Sequence, residues 1–334
     1  MAALLLLSAG PAMAQDAAPG SFARVGFGAR GIAMGNALVA DLSGDASPYY
    51  NPALAPYHTG QNLSASAAFL SMDRELQFLQ FATPIAPSAG IAVGLIHAGV
   101  NDIDGRDASG YHTQTLSTDE FALSLAFGNR FGDRLAAGAA LKLYRADVLD
   151  TVEPTLTLGI DAGVTYAVSP RVHVGLVLSD LLARYNWNTS QAQEGGRSTT
   201  DRFPVRVRLG GMVRLLDDRL HLTAEYESRF TERQQRVRVP TTAGASVGTA
   251  FETERLLLHG GRLRMGASYR FVEVFTVRAG LNRIGAGDLE GLSPSAGFGV
   301  EQSLGNLDVR AAYAVVLEPY VRDGMHLLSL QVFL

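Results

Sequence analysis

Gly26-Phe27-Gly28-Ala29-Arg30-Gly31 spells G-x-G-x-x-G, the spacing that lets a backbone approach a pyrophosphate at a helix N-terminus. Nucleotide chemistry also needs a preceding strand, a following helix and an acidic residue on the next strand. Here an apolar leader precedes the glycines, so nucleotide binding is declined. Gly244-Ala245-Ser246-Val247-Gly248 spells G-x-S-x-G, yet a nucleophile elbow needs a strand-to-helix turn and this stretch sits within the longest expected loop. Ser124 and His97 could serve an outer-rim lipase, but the sequence places no third group to orient the imidazole. The chain therefore reads as a non-enzyme.

Metal chemistry is equally thin. The 7 histidines include no i, i+4 pair and no H-E-x-x-H. Asp102, Asp104 and Asp107 with Gly105 supply hard oxygens, but the twelve-residue calcium pattern with its terminal glutamate is missing, which leaves a solvated acidic loop. The absence of cysteine removes thiolate metal sites, disulfides and cysteine nucleophiles. A net charge of -4 and a pI near 6.0 give no basic footprint for nucleic acid. No metal or cofactor is implied.

A share of 18% charged residues in 334 is low for a soluble domain. No later apolar run is long enough for a membrane helix. Leu4 to Leu7 followed by Ala12-Met13-Ala14 reads as a signal peptide cleaved before Gln15, so residues 1–14 are expected to be removed on export. The leader lacks a basic start, which suggests a start codon further upstream.

From Gln61 onward the dominant period is two, the mark of strands with unlike faces. Leu135, Ala137, Ala139, Leu141 and Leu143 alternate with Ala136, Gly138, Ala140, Lys142 and Tyr144. About fourteen such segments recur, longer than soluble strands and matched to a tilted bilayer crossing. Their opposite faces carry Arg206, Arg208, Glu225, Glu227, Arg262, Arg264, Arg278 and Arg310 among glycine, alanine and serine. Such charges belong inside a barrel rather than against lipid. Tight turns alternate with long connections at 100–117, 180–201, 230–254 and 282–293, and the chain ends on an alternating strand that must pair with the first. The expectation is a transmembrane antiparallel β-barrel of about fourteen strands spanning 61–334.

Residues 15–60 break the period. Ala29 to Asp41 reads as a short, glycine-interrupted helix, and Ser43 to Pro52 as turns, so this segment is expected to plug the lumen. Arg30 needs a buried partner, with Asp41, Asp45 or Glu225 as candidates. Asn51-Pro52 reads as a turn whose side chain caps the residues after it. Gly28, Gly31 and Gly35 allow close backbone approach to the wall.

Gly28-Ala29-Arg30, Ala33-Met34-Gly35, Val39-Ala40, Asp45-Ala46 and Asn51-Pro52-Ala53 resemble the N-terminal signature of the PorV/PorQ family, a branch of the FadL-type outer-membrane barrels. The resemblance implies a plugged barrel in the outer membrane of a diderm bacterium, with Asp41 and the residues of that signature forming the plug motif. It further implies a role in protein secretion of type IX character, with exported cargo or secretion-machinery subunits as partners at the outer loops. The alternative within the same superfamily is gated uptake of hydrophobic small molecules, which predicts an apolar pocket in the outer half and a wall opening toward lipid. Leu181, Leu182, Tyr185, Trp187, Leu256 and Leu257 are the loop residues that would form such a pocket or a docking surface; they equally suit the membrane interface.

Overall fold

The computed structural model describes residues 18–43, 46–148, 152–188, 198–243, 246–285, 291–305, 307–318 and 323–334, with side chains at 233–255 outside the description. The expected signal peptide and Asp45 lie outside the described residues.

The period-two segments fold as strands. In chain order they are β1 (Asn62–Phe69), β2 (Arg74–Ile85), β3 (Ala89–Arg106), β4 (His112–Phe131), β5 (Leu135–Asp147), β6 (Thr155–Ser169), β7 (Val172–Leu181) and β8 (Arg184–Asn188). The second half comprises β9 (Ser198–Arg202), β10 (Val205–Leu215), β11 (Leu220–Ala243), β12 (Ser246–Val272), β13 (Phe275–Ile284), β14 (Ser293–Leu304), β15 (Leu307–Leu317) and β16 (Gly324–Phe333). All except β8 and β9 form one closed antiparallel barrel, in which β1 pairs with β16 from Asn62↔Phe333 to Phe69↔His326. Closure leaves no unpaired edge for lipid to meet.

The exterior is apolar. Leu123, Leu125 and Phe127 of β4 and Leu328 and Leu330 of β16 are exposed, as are their counterparts around the wall. On the same face Phe275, Phe298 and Tyr313 form a chain of rings with centroids 6.1 and 5.7 Å apart. The fold is thus a transmembrane barrel of fourteen strands.

Two of the long connections expected as loops are strands instead. Residues 231–243 pair in register with 246–258, and 103–106 with 112–116, so β11–β12 and β3–β4 run beyond the neighbouring strands as two-stranded ribbons. Past the apolar belt hydropathy no longer separates strand from loop. The connection after β7 likewise holds the β8–β9 hairpin.

The N-terminal segment occupies the lumen. A 3₁₀ turn (Phe22–Arg24) leads into α1 (Gly28–Ala33), and a second 3₁₀ stretch (Pro52–Tyr57) precedes β1. The helix is shorter than the expected Ala29 to Asp41, because Gly35 and Asn36 take φ of 61° and 63° and reverse the chain after Met34. Met34, Leu38, Tyr50 and Leu54 are buried, so the plug and the inner wall share one core. The wall accepts it through inward glycines: a Cβ on Gly90, Gly138, Gly175, Gly266 or Gly280 would overlap plug backbone.

Candidate functional site

The lumen has three levels. At the short-turn end and mid-height the plug is locked in place. Arg30 Nη2 meets Asp41 Oδ2, one of the expected partners, at 2.5 Å and donates to Ser43 Oγ at 2.8 Å. Asn51 Oδ1 accepts from Ala53 N at 3.0 Å, as the turn-capping expectation required, while its amide donates to Val39 O at 2.8 Å. Gly31 stands against the Tyr50 ring, which leaves no room for a side chain, and the Tyr50 hydroxyl donates to Asn36 Oδ1 at 2.7 Å. These plug residues hold the plug to itself and to the wall.

Mid-lumen, β10, β11 and β12 bring six of the expected luminal charges into one network. Glu227 lies 2.6 Å from Arg264, 3.0 Å from Arg262, 3.2 Å from Arg229 and 3.7 Å from Arg206. Glu225 pairs with Arg264 and accepts from Val39 N, and Arg208 donates to Tyr50 O at 2.7 Å. The network continues through residues that the sequence reading did not single out for it. Arg206 reaches Asp180 at 2.8 Å, and Lys142 reaches Asp161 at 2.6 Å and Asp180 at 3.5 Å. Arg278 and Arg310 stand apart, nearer the short-turn end, where Arg310 pairs with Glu301 at 2.7 Å.

Above the charges, toward the long-loop end, lies an aromatic cluster. Tyr185 packs edge-on against Trp187 at 5.3 Å and Phe203 at 4.8 Å, and Phe203 lies 4.8 Å from Tyr144. Phe22 of the plug joins the same buried cluster. The Tyr144 hydroxyl donates to Asp180 at 2.7 Å, joining rings to charges. Tyr185 and Trp187 thus meet, whereas Leu182 and Leu257 are 80% and 71% exposed. Leu181 is half-buried where β7 leaves the wall, and the Leu256 side chain is about as exposed. Phe22, Tyr144 and Phe203 were missed; Tyr144 was legible as the inward residue ending the β5 alternation, but Phe22 and Phe203 sit in aperiodic stretches that carry no such signal.

The wall beside this cluster is built differently from the rest. β7 pairs with β6 only as far as Ile160↔Leu181, after a bulge at which Asp180 adopts φ 62° and its N–H donates to Asp161 Oδ1 at 2.9 Å. Beyond it, β8 meets β6 through inward threonines: Arg184 N donates to Thr157 Oγ1 and Asn186 N to Thr155 Oγ1, both at 3.2 Å. On the outer face of that same stretch Leu156 and Leu158 are 61% and 53% exposed, so it stands at lipid depth.

The residues weighed for catalysis do not assemble. His97 and Phe121 share the outward face, while Ser124 lies on the opposite one and donates to Gly94 O at 3.2 Å. Both His97 nitrogens are engaged, Nε2 by Asp119 at 2.8 Å and Nδ1 by Gln77 at 2.5 Å. Ser246 opens β12 at the tip of a hairpin rather than at a strand-to-helix turn. In the β3–β4 ribbon, hydrogen bonds from His112 and then Arg106 hold the Asp104 carboxyl below the usual carboxylate range.

No protein family matches the chain by sequence, and no curated protein does. Solved structures match its fold. The Pseudomonas putida toluene transporter TodX covers 92% of this chain and 97% of its own with a TM-score of 0.60 at 13% identity. The CymD monoaromatic hydrocarbon channel covers 92% and 96% with 0.59 at 14%, and a Pseudomonas aeruginosa FadL homologue 92% and 97% with 0.57 at 12%. The barrel therefore has the FadL-type fold; membership of the PorV/PorQ branch rests on the N-terminal signature alone.

Proposed function

We propose that this chain is an outer-membrane channel that admits small hydrophobic solutes. The observation that carries this reading is the juxtaposition of a buried aromatic cluster, Phe22, Tyr144, Tyr185 and Phe203, with a stretch of wall joined by threonine hydroxyls instead of a backbone ladder. Below the rings the plug and the ion network fill the lumen, an expensive path for an apolar molecule. A solute entering at the long-loop end would partition among the rings, and parting β8 from β6 would release it sideways into lipid. Long-loop entry makes that end the cell surface, with residues 15–60 acting as the plug behind an export leader. The solved neighbours named as hydrocarbon channels support the same reading. Delivery of secreted proteins, which the PorV/PorQ resemblance implies, has no comparable support, and catalysis is not proposed.

Trp187 is the chain's single tryptophan and touches Tyr185, so its fluorescence reports on the cluster. Titrating the detergent-purified barrel with toluene should give a saturable emission change, absent in Phe203→Ala. Cells carrying the barrel should accumulate labelled toluene faster than cells without it. A flat titration together with unchanged accumulation would remove the uptake reading, and a stoichiometric exported protein co-purifying with the barrel would favour secretion.

A further inference from the structure

We propose that the solute taken up at the aromatic cluster is a monoaromatic compound carrying one neutral hydroxyl, an aromatic alcohol or a phenol, read by Tyr185 and Glu120. This rests on the reading of the cluster as the site of a small hydrophobic solute and narrows the class of that solute.

The polar tips around Tyr185 are taken. The Tyr144 hydroxyl donates to Asp180 at 2.7 Å, and Trp187 Nε1 donates to Asp201 Oδ2 at 3.0 Å. Tyr185 itself is 2% exposed, and its hydroxyl has no hydrogen-bond partner among the described residues. The ring is held edge-on against both Trp187 and Phe203. A buried tyrosine ordinarily gives its hydroxyl a partner, because losing water without replacing its hydrogen bond is costly. A solute entering among the rings is placed to supply that partner.

Glu120 provides the second group. The alternation of β4 turns Leu123, Leu125 and Phe127 outward and Glu120 inward, in register with Ala98 of β3 and Ala146 of β5. Ala146 and Ala122, the next inward residue of β4, belong to the same buried cluster as Tyr185, and Ala98 packs against it. The Glu120 carboxylate makes no hydrogen bond or ion pair among the described residues. Its charge and that of Arg24 both act on the Tyr185 phenol, so both stand within electrostatic reach of it. Arg24 is occupied by the carbonyls of Pro19 at 2.7 Å and Ala18 at 2.9 Å.

A neutral hydroxyl answers both groups at once: its oxygen accepts from Tyr185, and its hydrogen is donated to Glu120. An ether or ketone only accepts and leaves the carboxylate unanswered. A carboxylate would meet Glu120 as a like charge, and an ammonium would meet Arg24 as one. A pure hydrocarbon leaves both groups bare. Sites whose buried polar groups are matched by a solute discriminate against the analogue that lacks the matching group.

The test uses the full barrel in mild detergent, with Trp187 emission as the readout. Toluene and benzyl alcohol are the probes, since they share the ring and differ by one oxygen. Tyr185→Phe deletes a hydroxyl that holds no hydrogen bond among the described residues, so the variant should unfold at the temperature of the unaltered barrel. It should raise the Kd of benzyl alcohol about three- to tenfold, the worth of one net hydrogen bond, and leave that of toluene unchanged. Glu120→Ala should do the same. A benzyl alcohol Kd that does not move in either variant, or that moves equally with that of toluene, would overturn the hydroxyl assignment while saturable toluene binding keeps the uptake reading. Saturation by neither solute would remove both.

Discussion

Gly159 of β6 faces Ala183, which links β7 to β8, so closely that a Cβ on Gly159 would stand 3.4 Å from the Ala183 Cβ. The pair bridges the stretch of wall where threonine side chains replace the ladder. That separation is near the Cβ spacing of a disulfide, and the chain has no cysteine to compete. Gly159→Cys with Ala183→Cys should therefore cross-link under oxidation. The oxidised barrel should lose uptake of toluene and regain it on reduction, whereas unchanged uptake through a fully cross-linked barrel would place the exit elsewhere.

The plug seat makes a second prediction. A Cβ on Gly163 would overlap Asn51 Oδ1, the atom that caps the 3₁₀ stretch at Ala53. Gly163→Ala should cost about 1–3 kcal/mol through overpacking and loosen the plug, read as an earlier loss of the folded band on heating and a higher conductance in planar bilayers. Gly211→Ala, whose Cβ would lie 3.7 Å from His173 O in ordinary contact, should change neither.

The barrel was legible because a bilayer imposes one rule on every strand: apolar out, small or charged in. Leu141 beside Lys142 follows it as plainly as Leu263 beside Arg264. The rule lapses where water replaces lipid, which is why 231–243 reads as loop although it pairs with 246–258. Glu225, Glu227 and Arg264 were legible as inward charges, since each sits at an alternating position. The union of Arg206 with Asp180 was not, because Asp180 reaches the lumen through a bulge that breaks the alternation. Phe22 and Phe203 enter one buried cluster only through the tertiary path of the plug and of the hairpin, which no local period encodes.

The β3–β4 ribbon should respond to acid. Asp104 accepts from His112 and Arg106, which depress its carboxyl below the usual 3.8. A depressed carboxylate contributes stability above its unfolded value and loses it as pH falls through the lower folded value. Amide exchange at 101–118 should therefore accelerate only below about pH 4. Asp104→Asn should show faster exchange at neutral pH and no further acid step. An acid step of equal size in that variant would assign the response to another group.

The largest stability effect should fall on Glu227. Four guanidinium groups, from Arg206, Arg229, Arg262 and Arg264, lie within 3.7 Å of its carboxylate, and its side chain is fully buried. Among the described residues, the ion pairs of the mid-lumen network set Lys142, Arg206, Arg208, Arg229, Arg262 and Arg264 against Asp161, Asp180, Glu225 and Glu227, six cations to four anions. Deleting an anion raises the imbalance, and deleting a cation lowers it. Glu227→Gln should therefore cost about 3–5 kcal/mol, the penalty of leaving buried charge uncompensated, while Arg229→Gln should cost distinctly less. Combining Glu227→Gln with Arg262→Gln should recover part of the loss, because one orphaned cation leaves with its partner. Unfolding temperatures of the three variants check the order. Equal losses for Glu227→Gln and Arg229→Gln would mean that hydrogen-bond geometry, rather than charge balance, holds the mid-lumen together.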